Sequence, residues 1–209
     1  MTDALTLKGS TNTGTFPVHP EGTMAGRCVD FIDLGYGLNE WQGLTKERQE
    51  IVWIFVTKHR NPTRDNKPFE MRATFTASLG DKAKLRHFLE AWLGKPLTEG
   101  QIKDGVPLEK LVGHTALLTI AHKISKGKQR TYAMINSVSP LPKEMEASAP
   151  DASGYARDHG YWNGQIAKRK QEVLMWKERE LGLNQQAPQS LDEFPAALAD
   201  EDDDSSLPF

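Results

Sequence analysis

A single cysteine, Cys28, occurs in 209 residues. One cysteine excludes an intrachain disulfide and a cysteine-built zinc site. Long apolar runs are missing as well: no uncharged stretch exceeds 12 residues, whereas a membrane-spanning helix needs about 20 predominantly apolar ones. Met1 to Ser10 is polar and lacks the basic-then-apolar pattern of a signal peptide. These absences point to a soluble, cytoplasmic protein. Catalytic motifs are absent too. There is no Gly-x4-Gly-Lys-Ser/Thr phosphate loop, no His-Glu-x-x-His and no Gly-x-Ser-x-Gly elbow. The six histidines are scattered, and His114 and His122, on one expected strand, have no acid or cysteine partner at metal spacing. Asp33 precedes Gly35-Tyr-Gly37, where an aspartate suits a turn. The expectation is no catalytic residue, no metal, no cofactor and no enzymatic activity.

What is present is globular: 38% apolar and 26% charged residues, enough to build a core and too apolar for disorder throughout. The formal net charge of −2 hides a segregation. Seven of the 28 acidic residues lie between Leu191 and Phe209, where there is no Lys or Arg. The rest of the chain therefore carries 26 basic against 21 acidic residues, a net charge of +5. A basic body with an acidic tail is the pattern of a polyanion-binding domain joined to a separate interaction tail.

Along the chain, residues 1–22 read as an irregular arm rich in Thr, Gly, Ser and Pro. Met24 to Leu34 reads as a strand, Leu38 to Arg48 as a polar connection, and Gln49 to Thr57, with its run Ile51-Val-Trp-Ile-Phe-Val56, as the strongest strand. Phe69 to Ala77 alternates, placing Phe69, Met71, Ala73 and Phe75 on one face. From Asp81 the period becomes helical: Ala83, Leu85, Phe88, Leu89, Trp92 and Leu93 form one stripe ended by Gly94. Thr98 to Gln101 and Pro107 to Leu111 each suit a short helical turn. His114 to Ile124 and Gln129 to Val138 make a hairpin about Ser125-Lys-Gly-Lys128. The order strand, strand, strand, helix, strand, strand is that of an OB-fold, a mainly β barrel with one helix, here assigned to residues 23–145. From Glu144 to Gly154 the composition turns to Ala, Ser and Pro, a linker. Residues 146–190 are assigned as linker and helical segment, the helix running from Tyr155 to Leu183, and residues 191–209 as a disordered acidic tail.

Two basic segments stand out. Between the second and third strands lie Lys58, Arg60, Arg64 and Lys67 against one acid, Asp65. Between the fourth and fifth lie Lys123, Lys126, Lys128 and Arg130 with none. Two cationic fingers flanking one barrel face suit the backbone of a single strand. Stacking partners depend on register. With Val52, Ile54 and Val56 turned to the core, Trp53 and Phe55 face outward beside Arg72, a platform of rings with a cation. The opposite register buries both rings. Tyr132 is a further candidate, followed by Tyr36 and Trp41.

The chain ends Asp202-Asp-Asp-Ser-Ser-Leu-Pro-Phe209. This resembles the tip of bacterial single-stranded DNA-binding proteins, with Asp200 to Asp204 as the acidic run and Leu207-Pro208-Phe209 as the apolar ending; Ser205-Ser206 departs from the pattern. Within the body, Arg27 to Leu34, Lys84 to Leu89, Leu111-Val-Gly113 and Ser137 to Pro142 are similar to phage-encoded OB-type proteins, some of them single-strand binders, over roughly residues 20–145. The resemblance implies a non-catalytic protein of phage or mobile-element type in the bacterial host cytoplasm. It would coat single-stranded DNA during replication, recombination and repair. Asp202, Asp203, Asp204, Leu207, Pro208 and Phe209 would recruit replication or repair proteins, a ring and a free carboxylate suiting a basic-rimmed pocket. A replisome adaptor with an OB-like body, and a single-strand annealing factor, are the alternatives. Tetramerisation does not carry over from the bacterial family, and a homo-oligomer stays open.

Overall fold

The computed structural model describes residues 17–125, 127 and 130–186. Lys126, Lys128 and the tip residues Asp202, Asp203, Asp204, Leu207, Pro208 and Phe209 lie outside the described residues. The chain divides into two compact units, Met1–Val173 and Leu174–Phe209; all the packing below belongs to the first.

Five antiparallel strands form one sheet in the spatial order β3-β2-β1-β4-β5. β1 (Gly22–Trp41) and β2 (Leu44–Asn61) make a long hairpin. Its turn residues Gln42 and Gly43 have φ of 52° and 76°, the left-handed pair that lets a two-residue turn follow the twist of its strands. The polar connection expected over Leu38 to Arg48 is therefore continuous ladder, with Leu38 opposite Glu47 and Trp41 opposite Leu44. β3 (Lys67–Thr76) pairs with β2, and β4 (Thr115–Ile124) pairs with the first residues of β1 and with β5 (Thr131–Ser139).

One feature departs from the expected barrel. The sheet is not closed, since β3 and β5 are its two edge strands. Between β3 and β4 run the helix α1 (Lys84–Leu93) and, where two short helical turns were expected, a second helix α2 (Glu99–Asp104) and a 3₁₀ turn, Leu108–Leu111. α1 stops at Gly94, whose φ of 67° lets its backbone N–H reach back to the last turn. α2 starts on a capping box between Thr98 and Gln101.

Leu85, Leu89 and Trp92 of α1 pack on one face of the sheet against Ile51, Trp53, Phe55, Met71 and Ala73. Trp53 and Phe55 are 0% exposed. This corrects the register in which they faced outward. The reason is volume: a layer closed by Leu85, Leu89 and Trp92 is filled by the two large rings. Trp53 stacks on Phe88 with centroids 5.8 Å apart, and Phe55 meets Trp92 edge-on at 5.0 Å.

The other face of β2 is covered as well. Val52, Ile54, Ile32 and Leu34 form a second cluster beneath Trp162 of α3 (His159–Gln186). Residues 144–154, expected as a free linker, lie on the sheet: Lys143–Ser148 is a 3₁₀ turn, Pro150 O accepts from Arg27 Nε at 2.8 Å, and Ala147 O accepts from Lys58. No helix among the described residues is long and apolar enough to cross a membrane. In the second unit, residues 174–186 are helical and expose Leu174, Met175 and Leu181.

Candidate nucleic-acid interface

Antiparallel pairing decides where the basic segments go. The end of β2 lies beside the start of β1, Thr57 opposite Gly26, and the end of β4 lies there too, Ile120 opposite Gly22. The β2–β3 and β4–β5 hairpins therefore leave the sheet at the same end. Lys58, Arg60, Arg64 and Lys67 are exposed on the first; Lys123, Arg130 and Tyr132 are exposed on the second, with Tyr132 opposite Lys123 in the ladder. The turn of the first hairpin is set by its own chemistry. Asn61 Oδ1 accepts from Thr63 N at 3.0 Å, and Asp65 and Asn66 take φ of 51° and 56°, the left-handed values those residues tolerate best. Two acids partly offset the patch: Asp65 in the turn, and Glu70, which lies 3.9 Å from Arg64 and 3.6 Å from Arg72.

Histidines bridge the bases of the two hairpins. His19, 2% exposed, sits between β2 and β4. Its Nδ1–H donates to Pro20 O at 2.7 Å, so Nε2 is the acceptor for the Thr57 hydroxyl at 2.6 Å. His59 meets its ring edge-on at 5.1 Å, and Phe69 does so at 5.2 Å. His122 Nε2 donates to His19 O at 2.7 Å. Burial lowers the His19 pKa, with smaller contributions from His59 and His122, against the raising effect of the Pro20 carbonyl. The ring is thus held neutral where two cationic fingers meet.

Arg72 reaches the outer face as expected, but its partners differ. Its guanidinium lies 5.0 Å from the Tyr161 ring centre and 4.7 Å from that of Trp162, and Nη1 donates to Tyr161 Oη at 3.0 Å. The cation–ring cluster expected from Arg72 with Trp53 and Phe55 is made with α3 instead, and Tyr161 remains 42% exposed. Nearby, Asp30 is buried on β1. It accepts from Arg157 Nε at 2.7 Å, from Arg157 Nη2 and from Tyr155 Oη. Burial works to raise its pKa, but the bonds from Arg157 and Tyr155 and the Arg157 charge outweigh that and hold the carboxyl below the usual range. This pair anchors the chain that leads into α3.

A cavity of about 460 Å³ opens along the seam between the edge strands β3 and β5. Its floor is Phe75 and Phe88, with ring centres 4.7 Å apart. Lys84, His87 and Asn136 stand around it, and no Asp or Glu lines it. Sequence reasoning passed over these residues. The signal was available in the helical spacing of Lys84, His87 and Ala91, which runs i, i+3, i+7 beside the apolar stripe. Among the described residues no group of three or more His, Cys, Asp or Glu is placed to hold a metal ion. Cys28 is buried and its thiol pKa is pushed up to about 12 by desolvation, so it is no nucleophile. Comparison with family models, curated proteins and solved structures returned no match.

Proposed function

We propose that the chain is a non-catalytic single-stranded DNA-binding protein that coats exposed strands during replication, recombination or repair. The observation that carries this reading is the emergence of both basic hairpins from one end of the sheet, with exposed Tyr132 beside Lys123. Cations there neutralise successive phosphates of a flexible strand, and the ring offers a stacking surface to any base. The body is an OB-type sheet left open between β3 and β5. Its chain order of three strands, a helical stretch and a hairpin supports that reading. The acidic residues from Asp192 to Asp204 repel phosphates, and the tip made of Asp202, Asp203, Asp204, Leu207, Pro208 and Phe209 recruits replication or repair proteins.

Titration of fluorescently labelled dT oligonucleotides and of duplex DNA tests the reading. The expected result at low salt is tighter binding to dT than to duplex. The variant with Lys58, Arg60, Arg64 and Lys67 all replaced by Ala is expected to bind dT at least about tenfold more weakly, with a shallower salt dependence, since each lost phosphate contact removes about 0.7 from the slope for a single strand. Deleting residues 191–209 is expected to leave dT affinity equal or higher, most visibly at low salt. Absence of dT binding by the intact protein at low salt overturns the reading, and capture of replication proteins without it would mark an adaptor.

A further inference from the structure

The cavity along the β3–β5 seam has a composition that the packing of the sheet alone does not require. Its walls are the facing edges of β3 and β5, whose Cα atoms approach within 8 Å without forming a ladder, and α1 packs against both. Phe75 and Phe88 are only partly buried, so their rings are open to a flat apolar group entering the seam. Met134 of β5 lines the same space with an adaptable side chain.

The polar groups are placed to match. The register of β4 with β5 shifts between Thr119 and Ile120, so Ser137 pairs with Thr119 and Ile135 with Ile120. Asn136 is left over as the bulge residue. A bulge re-aims a side chain that the ladder would otherwise fix, and Asn136 borders the cavity with an amide that both donates and accepts. On the facing side, Lys84 and His87 occupy successive turns of α1, both exposed; no Asp or Glu lines the cavity, and the Glu90 charge next to His87 lies outside it. Arg72 also borders the seam, though its guanidinium is engaged with Tyr161 and Trp162.

A ring floor, an amide at the edge, and a lysine and an imidazole at the rim match one chemical unit: a nucleobase carrying its phosphate. We propose that the seam takes one unstacked base of a bound single DNA strand, seated against Phe75 and Phe88, read at its edge by Asn136, with the adjoining phosphate held by Lys84 and His87. The volume of about 460 Å³ falls within the range of small-ligand sites. The seam also lies on the strand's path. β3 and β5 both begin at the hairpin end, at Lys67 and Thr131, so a strand held by the hairpins and running along either edge passes the cavity. This inference rests on the proposed single-strand binding and adds to it a discrete base site that the two hairpins by themselves do not provide.

The experiment uses the full chain and a dT oligonucleotide carrying 5-iododeoxyuridine for photo-crosslinking, beside affinity measurements at several salt concentrations. Crosslinks are expected in the peptides containing Phe75, Phe88 or Met134. Lys84→Glu, on the exposed face of α1, is expected to weaken dT binding about tenfold and to flatten its salt dependence. Ser137→Trp, which fills the mouth of the cavity, is expected to weaken binding by a similar factor with the salt slope unchanged, as loss of one stacked base does. If dT binds the intact protein and the hairpin variant weakens it, while Lys84→Glu and Ser137→Trp bind normally and crosslinks fall only on the hairpins, the seam site is wrong and single-strand binding stands. If the intact protein binds no dT, both readings fall. Should Ser137→Trp not fold, Lys84→Glu and the crosslink map still decide.

Discussion

Between Ile51 and Thr57 the two faces of β2 are both buried, but they are closed by different means. On one, Ile51, Trp53 and Phe55 meet the stripe of α1 in a contact made of rings and aliphatic chains. On the other, Val52 and Ile54 form a small apolar centre beneath Trp162, ringed by polar contacts: Asp30 with Arg157 and Tyr155, Arg72 with Tyr161, and Glu50 with Arg169 at 2.5 Å. The first face is held by area removed from water, which is forgiving of detail and costly to empty. The second is held by a few directional contacts around a modest apolar patch, each sensitive to one substitution. One strand thus separates a packed core from a clamped cover.

The largest expected effect is on the packed side. Trp53→Ala leaves a cavity among Phe88, Trp92 and Phe75, and a buried aromatic truncated to Ala costs about 3–5 kcal/mol. Urea unfolding should show that loss as a lower midpoint at unchanged slope. The buried Cys28 thiol, opposite Phe55 in the ladder, should become reactive in the variant before the wild type. A variant of wild-type stability with weakened DNA binding would instead place Trp53 in the interface.

On the clamped side, Asp30→Asn keeps the shape and removes the charge that Arg157 and Tyr155 address. Breaking a buried ion pair costs about 3–5 kcal/mol; because the Arg157 side chain is 39% exposed, roughly 2 kcal/mol is expected. The pH dependence gives the sharper test. The Asp30 pKa is depressed in the folded state, so its stabilisation is fully present above the unfolded carboxylate range. It is lost as pH falls through the folded value. Thermal melts from pH 7 down to pH 3 should show a smaller drop for Asp30→Asn than for wild type. Parallel curves would mean that the clamp contributes nothing through its charge.

The smallest effect belongs to the hairpin end. The His19 pKa is lowered in the folded state, so as pH falls below about 6.5 the unfolded chain takes up a proton first and stability declines. A drop in Tm of a few degrees between pH 7.5 and pH 5.5 is expected for wild type, and less for His19→Gln. An equal drop in both would move the titration elsewhere.

The sequence made legible whatever is buried on one side only. β3 alternates, and Met71, Ala73 and Phe75 of its expected inner set pack against α1; α1 shows its stripe and its Gly94 stop. Where both sides are covered, or neither is, the pattern carries no direction. Ile51 to Thr57 is buried throughout, so nothing in its composition distinguished the side of Trp53 from the side of Ile54, and the candidate platform was built on the wrong one. The ribbon from Leu38 to Arg48 failed for the opposite reason. Its residues are mostly polar and show no alternation of apolar and polar positions, so they read as loop. Residues 144–154 look like a linker because Ala, Ser and Pro pack through backbone carbonyls, here to Arg27 and Lys58, and carbonyls leave no trace in composition. The cationic hairpins were legible, since turn residues and charge are local properties. Their meeting at one end follows from strand direction alone.

β1 lives under two mechanical regimes. From Gly22 to Arg27 it is an interior strand, with β4 on one side and, from Gly26 onward, β2 on the other. From Gly35 to Trp41 it has only β2 beside it, and β2 before Glu50 has no β3 partner. The change falls at the bulge between Asp33 and Gly35, where Asp33 accepts from Gly35 N at 2.8 Å and from Gln49 Nε2 at 2.9 Å. Just beyond it the Arg169 guanidinium rests against Gly37, in space that any side chain at that position would take. The root of the ribbon is therefore held by a side chain that also belongs to the cover: Arg169 ties α3 to Glu50 of β2 and fills the space over Gly37, so the ribbon and the cover over the outer face share one fulcrum.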